Sequence, residues 1–457
     1  MDATVSAENF KKQKLFEQQC DGEIDRISNL PEHILHYILS FLPTKYAVGT
    51  SVLSTRWNGL WKFIHNLDFC DEHLYNSSSK RPNYWKRKRI FRDFVDKVLR
   101  HNDVSNINKC NLKCNECNAA YFNGWISTII RRKVQELNIS VFKECPFRFS
   151  DCLFTCESLR ILKIYMSVSM KIPASVCFSS LKVLHLGKIS FFCDQSIQEI
   201  SLSFPILEKF ILRYCVWPKN VTFFAPILQK LEIEDRSDGL NDCEIKIYAE
   251  SLVSLKFDGG PYQKYSLCHL SSLVDASIEL WPGEASVHHV GSLLKDIFNV
   301  KNLELSGSSI EVLSRPDFSN HLLALSCLIH LTVGYRVRVC GRALIDLLRS
   351  MPNLESICCP DGLSSIWFKG IGRVMGTTPK CFLSNLKLVE IRQFSWIAEK
   401  VWFLKFLIKS ATVMDKFTIK LTTRASFDFP YSGELPEREI KQLQMLARNT
   451  NCVLDFS

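Results

Sequence analysis

No uninterrupted apolar run in the 457 residues approaches the ~18 that a membrane-spanning helix needs, so no spanning segment is expected. The start, Met1 to Glu23, has no apolar block of the kind that heads a secreted protein, which predicts a chain that stays inside the cell, in the nucleus and/or cytoplasm. Glycine is sparse, at 18 residues. Gly259-Gly260-Pro261 and Gly370-x-Gly372 are too short to cradle a phosphate and read as turns. No nucleophile, carboxylate pair or phosphate loop stands at motif spacing near His288-His289, so neither catalysis nor a cofactor is expected of this chain. Cysteine is plentiful, but 19 thiols, odd in number and singly scattered, do not describe a disulfide framework; they read as mostly reduced core thiols. Cys110-x-x-x-Cys114-x-x-Cys117 has one pair at zinc-ligand spacing; Cys145, Cys152 or Cys156 would have to complete four ligands, and ordinary thiols fit better.

What is present is a folded composition, 46% hydrophobic and 23% charged, with length for two or three domains. The net charge of +10 favours polyanions without requiring one. Between Pro31 and Pro43 the spacing of Ile34, Leu35, Ile38, Leu39 and Leu42 predicts one helix with an apolar stripe. Thr44 is placed to cap a second helix carrying Ala47, Val48 and Val52, and Ser54 a third carrying Trp57, Leu60 and Trp61. About 40 residues this rich in apolar side chains cannot bury them unaided, so the block is expected to dock on something. Ser77 to Pro82 reads as a polar linker; Ile90, Phe91, Phe94, Val95, Val98 and Leu99 then mark an amphipathic helix. Lys86-Arg87-Lys88-Arg89 suits a weak nuclear-import signal or a solvated helix start; with no groove-reading helix or stacking platform, nucleic acid is not the expected partner.

From residue 107 the pattern Leu-x-x-Leu-x-Leu recurs, as in Leu159-x-x-Leu162-x-Ile164, Leu181-x-x-Leu184-x-Leu186 and Leu228-x-x-Leu231-x-Ile233. Its middle positions, 137, 162, 184, 210, 231, 255, 276, 303 and 331, are 21 to 28 residues apart, the period of leucine-rich repeats. Each copy predicts a short strand, and stacked copies a parallel sheet. The Asn or Cys usual three residues after the last apolar position is met only by Cys215, so the backbone on the turn side must be paired by other means. Outward residues at one position per repeat give a ladder of Lys163, His185, Ile211, Glu232, Lys256, Ser277, Glu304 and Thr332, flanked by Arg213, Lys230 and Glu234. Such mixed charge suits a protein or peptide more than a uniform polyanion.

Asp25 to Pro31 with Val52 to Trp61, Phe154 to Leu159, and Leu386 to Ile391 with Ala411, Met414 and Phe417-Thr418-Ile419 together resemble the plant F-box proteins with leucine-rich repeats and an FBD domain. The resemblance runs from about residue 25 to the end. It implies an α/β fold: a small three-helix F-box, then an irregular leucine-rich-repeat solenoid (a curved parallel sheet) with a C-terminal FBD cap. The expected division is a disordered tail over 1–24, the F-box over 25–71, a linker and amphipathic helix over 72–105, repeats over 106–360 and the FBD domain over 361–457. It further implies a non-catalytic substrate receptor. The F-box grips the Skp-type adaptor of a cullin-RING ubiquitin ligase, and the repeats hold a protein target. Leu30, Pro31, Ile34, Leu35, Val52, Leu53 and Trp57 match the motif as core or adaptor contacts. Lys163, His185, Arg213, Lys230, Glu232, Lys256 and Glu304 are the candidates for target contacts. Two alternatives are a small-molecule-gated receptor, which needs a convergent basic cluster where only scattered cations stand, and a scaffold without an adaptor.

Overall fold

The computed structural model describes residues 27, 29–74, 84–115, 118–142, 153–154, 156–235, 241–260, 263–281, 293, 297, 299–313, 322–334, 341–362, 379–394, 396, 398–421, 437–449 and 452–456. Two compact units form: Met1–Cys114 with Arg131–Val134, and Asn115–Ile130 with Gln135–Ser457.

In the first unit Pro31 precedes the helix Glu32–Ser40 as its N-cap, and Pro43 the helix Thr44–Gly49. A proline costs little there, since no earlier turn accepts its missing N–H. Leu35 and Leu39 are fully buried. Thr44 does not cap its helix; its hydroxyl accepts the Asp68 amide at 2.7 Å and so ties that helix to the strand Asn66–Cys70. The expected third helix is not an α-helix. Turns lead instead into a short 3-10 segment, Leu60–Phe63, because Gly59 sits at φ 90°, which no right-handed helix passes through. Ser54 accordingly caps nothing. Asn66–Cys70 pairs in parallel with Lys109–Cys114, Leu67 opposite Cys110 and Phe69 opposite Leu112. Parallel neighbours need a crossover. The helix Tyr84–His101 supplies it, burying Phe91, Val95, Val98 and Leu99. Arg132 closes that helix, donating from Nη2 to the Leu99 carbonyl at 2.7 Å and from Nη1 to that of Asn102 at 3.0 Å, where a helix end lacks partners. Cys110 is buried, and burial pushes its thiol up. Cys114 departs from the reduced thiols expected: it is disulfide-bonded. Residues 1–24, the linker 77–82, Cys117, Cys145, Cys152, His288, His289, Gly370 and Gly372 lie outside the described residues.

The second unit is built on strands Glu136–Val141, Ile161–Lys171, Val183–Phe192, Lys209–Arg213, Lys230–Asp235, Ser254–Gly259, Asp275–Leu280, Asn302–Leu305, His330–Val333, Ser356–Cys359, Leu388–Phe394, Lys416–Leu421 and Val453–Phe456. They lie in that order, each parallel to the next. The repeat motif maps onto them: Leu162, Leu184, Phe210, Leu231, Leu255, Ala276, Leu303 and Leu331 form one buried row. The C-terminal segment is made of the same rungs, with helices Ala398–Ser410 and Glu437–Asn449 between its strands.

A backbone relay joins the leading ends of the rungs. The Glu208 carbonyl accepts the amides of Gln229 and Lys230 (2.9 and 3.1 Å), that of Gln229 the amides of Val253 and Ser254 (both 3.0 Å), and that of Val253 the amides of Val274 and Asp275 (both 3.0 Å). The same link recurs from Gln135 to Lys387, so the groups ahead of each rung are paired main chain to main chain, while on the trailing side the Ser309 hydroxyl accepts the Leu280 amide at 2.7 Å and donates to the Ile278 carbonyl at 2.8 Å.

A second parallel sheet backs the first: Ser175–Cys177, Glu199–Ser203, Asn220–Phe224, Asn241–Tyr248 and Gln263–Cys268. Aromatic side chains fill the space between. Phe204, Phe210 and Phe223 lie 5.1 to 6.4 Å apart, and Trp217 stacks on Phe191 at 4.1 Å. Later rungs are backed by helices, including Gly307–Leu313 and Gly341–Arg349.

The rungs approach closely enough to test. A Cβ on Gly259 would meet the Asp235 backbone carbonyl, whereas one on Gly334 would meet only the movable Glu304 carboxylate at 3.3 Å. In urea unfolding, Gly259→Ala is expected to cost about 1–3 kcal/mol and Gly334→Ala under about 1 kcal/mol. Equal costs would refute tight backbone stacking at Gly259.

Candidate functional site

Two surfaces carry the candidate residues. In the first unit the helix Glu32–Ser40 turns Leu35 inward and leaves Tyr37 (63% exposed) and Phe41 (69%) in water, their rings edge to face at 4.8 Å. Val52 (87%) and Leu53 (65%) are also bare, and Pro31 is exposed. Leu30 and Ile34 are half-buried. Arg56 Nη2 donates to the Leu30 carbonyl at 2.5 Å, which brings the segment before the first helix against the one after Val52. Of the seven residues read from the motif, Leu35 and Trp57 lie in the core, at 0% and 5% exposure, and serve the interior. Their wide apolar faces are what the small unit packs around. Tyr37 and Phe41 were missed. Their signal is an aromatic pair four residues apart, off the core stripe, on a helix otherwise already provided with an apolar face.

In the second unit the predicted ladder is one row of the sheet. Lys163 lies opposite His185, His185 opposite Ile211, Ile211 opposite Glu232, Glu232 opposite Lys256, Lys256 opposite Ser277, Ser277 opposite Glu304, and Glu304 opposite Thr332. The row continues through Cys358, Glu390, Thr418 and Asp455. Ile211 is buried within it. A groove of about 580 Å3 runs along this face, lined by Glu232, Lys256 and Glu304 together with Lys209, Lys230, Asp275, Asn302 and His330 of the neighbouring row. Lys163, His185 and Arg213 do not line it. The neighbouring row was legible as the position two before each outward residue.

The charges on this face are partly spent on one another. Lys209 Nζ lies 3.2 Å from Glu232, and Arg213 Nε 3.0 Å from Glu234. Burial, with the Lys163 and Lys209 charges beside it, lowers the His185 imidazole to about 4, so it is neutral at pH 7. On the basic run at the start of helix Tyr84–His101, Lys86 and Arg89 are exposed while Arg87 and Lys88 are half-buried. Among the described residues no group of three or more His, Cys, Asp or Glu could hold a metal ion, and no helix is long and apolar enough to cross a membrane.

This geometry accompanies clear similarities to known proteins. The F-box domain model matches residues 27–68 and the FBD model residues 376–419. The F-box/LRR-repeat protein At3g59190 of Arabidopsis thaliana is 30% identical over 371 residues, covering 74% of this chain and 92% of its own length. The F-box/FBD/LRR-repeat protein At4g26340 of the same plant is 29% identical, covering 82% of this chain and 87% of that one. The F-box/LRR-repeat protein At4g14096 is 28% identical across 94% of both chains.

His185 has a measurable consequence. Its folded value, about 4, lies below the ordinary 6.5, so its contribution to stability is complete above pH 6.5 and is lost as the pH falls toward 4. Urea unfolding from pH 7 to 4 should show a shallower acid loss for His185→Gln than for the native chain; identical slopes would remove His185 from the account.

Proposed function

The chain belongs to the F-box/LRR-repeat protein family, and on that premise we propose that it is a substrate-recognition subunit of a Skp-cullin-F-box type ubiquitin ligase. The observation that carries the reading is the apolar face of the F-box unit. Tyr37, Phe41, Val52 and Leu53 stand in water within a small domain that already has a filled interior. Burial of apolar surface gains roughly 25 cal/mol per Å2, so such a face favours a partner, and the Skp-type adaptor is the partner this domain type implies. Leu30, Pro31 and Ile34 complete the proposed contact. The row from Lys163 to Glu304 is the proposed target surface; ubiquitin transfer itself falls to other subunits, leaving this chain non-catalytic. Mixed charge on the row supports a protein target over a small anion, since Glu232 and Glu304 interrupt the cations.

Capture of the full chain by a recombinant Skp-type adaptor tests the first half. Leu30→Ala with Pro31→Ala should abolish capture. Phe41→Asp and Val52→Asp should each weaken it at least about tenfold, with unfolding shifted by no more than ~0.5 kcal/mol because both side chains are exposed. Undiminished capture by all three variants would sink the adaptor contact. Proximity labelling in cells tests the second half: alanine at Glu232, Lys256 and Glu304 together should remove a subset of labelled proteins while adaptor labelling persists.

A further inference from the structure

Charge changes sign along the groove. Lys209, Lys230 and Lys256 outnumber Glu232 toward its N-terminal rungs, while Asp275 and Glu304 stand toward its C-terminal ones. Three of these six are already engaged: Lys209 and Glu232 with each other at 3.2 Å, and Asp275 by the Asn302 amide at 2.6 Å. Lys230, Lys256 and Glu304 remain exposed and without an ion-pair partner among the described residues. Lys256 and Glu304 share one row, with Ser277 on the rung between them. Rungs are about 4.8 Å apart, so the two backbones are roughly 10 Å apart, and the short serine leaves the floor between the two charges low.

The spacing of the free charges limits what can span them. Its 580 Å3 are spread over the rungs from Lys209 to His330. Six rungs span some 24 Å. Rising about 1.5 Å per residue, a helix needs about six or seven residues to carry a charge from Lys256 to Glu304. An extended chain, rising about 3.3 Å per residue, covers the distance from Lys256 to Glu304 in two to four residues.

We infer that the groove takes an extended protein segment carrying an acidic side chain over Lys230 and Lys256 and a basic side chain, two to four residues away, over Glu304. The inference rests on the reading of this sheet face as the target surface and gives that target a charge pattern. A uniform polyanion meets repulsion at Glu304 and Asp275, a uniform polycation at Lys230 and Lys256. Like-charge juxtaposition rejects wrong partners more effectively than opposite charges at a rim attract right ones, so the pattern sets selectivity more than strength.

The test uses the full chain and three fluorescein-labelled peptides in one Gly/Ser frame: a mixed one containing Asp-Asp-Ser-Ser-Lys-Lys, one with Asp at all the charged positions, and one with Lys at all of them. Fluorescence anisotropy at low salt should show the mixed peptide binding at least about tenfold tighter than either uniform one. Glu304→Lys should transfer the preference to the all-Asp peptide, and Lys256→Glu to the all-Lys peptide. The triple variant, Lys230→Glu and Lys256→Glu with Glu304→Lys, should restore the preference for the mixed peptide because the groove is again bipolar with its signs exchanged. That restoration separates charge pattern from damage to the fold. Equal binding of the three peptides, no measurable binding of any, or a preference unmoved by Glu304→Lys would overturn the inference. If it fails while alanine at Glu232, Lys256 and Glu304 still removes proximity-labelled proteins, only the charge pattern is lost; if labelling is also unchanged, the target-surface reading falls with it.

Discussion

Parallel pairing in constant register is the constraint on which the second unit depends. Because each rung sets the same position opposite the same position of the next, every side-chain row continues across the sheet, as Leu162, Leu184, Phe210 and Leu231 do inward and Lys163, His185, Ile211 and Glu232 outward. A slip of one residue at any rung would turn its apolar row to water and its charges to the core. The register is held by main-chain atoms: from Gln135 to Lys387 the carbonyl before each rung accepts two amides from the next, as Val274 does from Lys301 and Asn302 at 3.0 Å. The sequence between rungs is therefore free to vary, so long as the rung itself keeps its alternation. Close stacking is the counterpart of that freedom, and Gly259 against the Asp235 carbonyl is where it leaves no room for a side chain.

What backs the rungs changes along the chain, from strands to helices. Where neighbouring rungs are 21 to 26 residues apart, as from Leu184 to Ala276, the return segment is a strand of the second sheet. From Leu303 onward helices take over, over intervals of 26 (Leu331 to Ile357) to 37 residues (Phe417 to Leu454). A helix rises 1.5 Å per residue against about 3.3 Å for a strand, so it needs more residues to span the same depth. Packing changes accordingly: Phe204, Phe210, Phe223 and Trp217 fill the space between two sheets, while Leu344, Leu347, Leu404 and Leu407 line the helix-backed part.

The two surfaces use opposite physics. On the F-box unit the exposed side chains are aromatic and aliphatic, and water is their penalty; association there gains from area removed from solvent. On the sheet face the exposed side chains are charged, are well solvated alone, and gain little from burial in itself. The first surface suits a constant partner held by shape and area. In the proposed reading the second discriminates, because like charges repel a mismatched pattern.

The repeat motif and its period determined the inward rows, the parallel sheet and the outward ladder from Lys163 to Thr332, because alternation along a strand depends only on the two sides of a pleat. The helix after Pro31 and the one burying Phe91, Val95 and Leu99 were equally legible, since prolines and three- and four-residue spacing act locally. The second sheet was legible but went unread: Ile200, Val221, Ile245 and Tyr265 recur at a similar period, out of phase with the louder leucines. Other features belong to the tertiary structure alone. Gly59 in the left-handed region dissolves the third helix, and Thr44 gives its hydroxyl to Asp68 instead of a cap. The same motif sends Trp57 inward and Val52 outward, and Lys209 and Glu232 neutralise each other while Lys230, one rung away, does not pair. Which side chains meet across rungs depends on distances between residues some twenty apart in the chain, and local patterning carries no record of them.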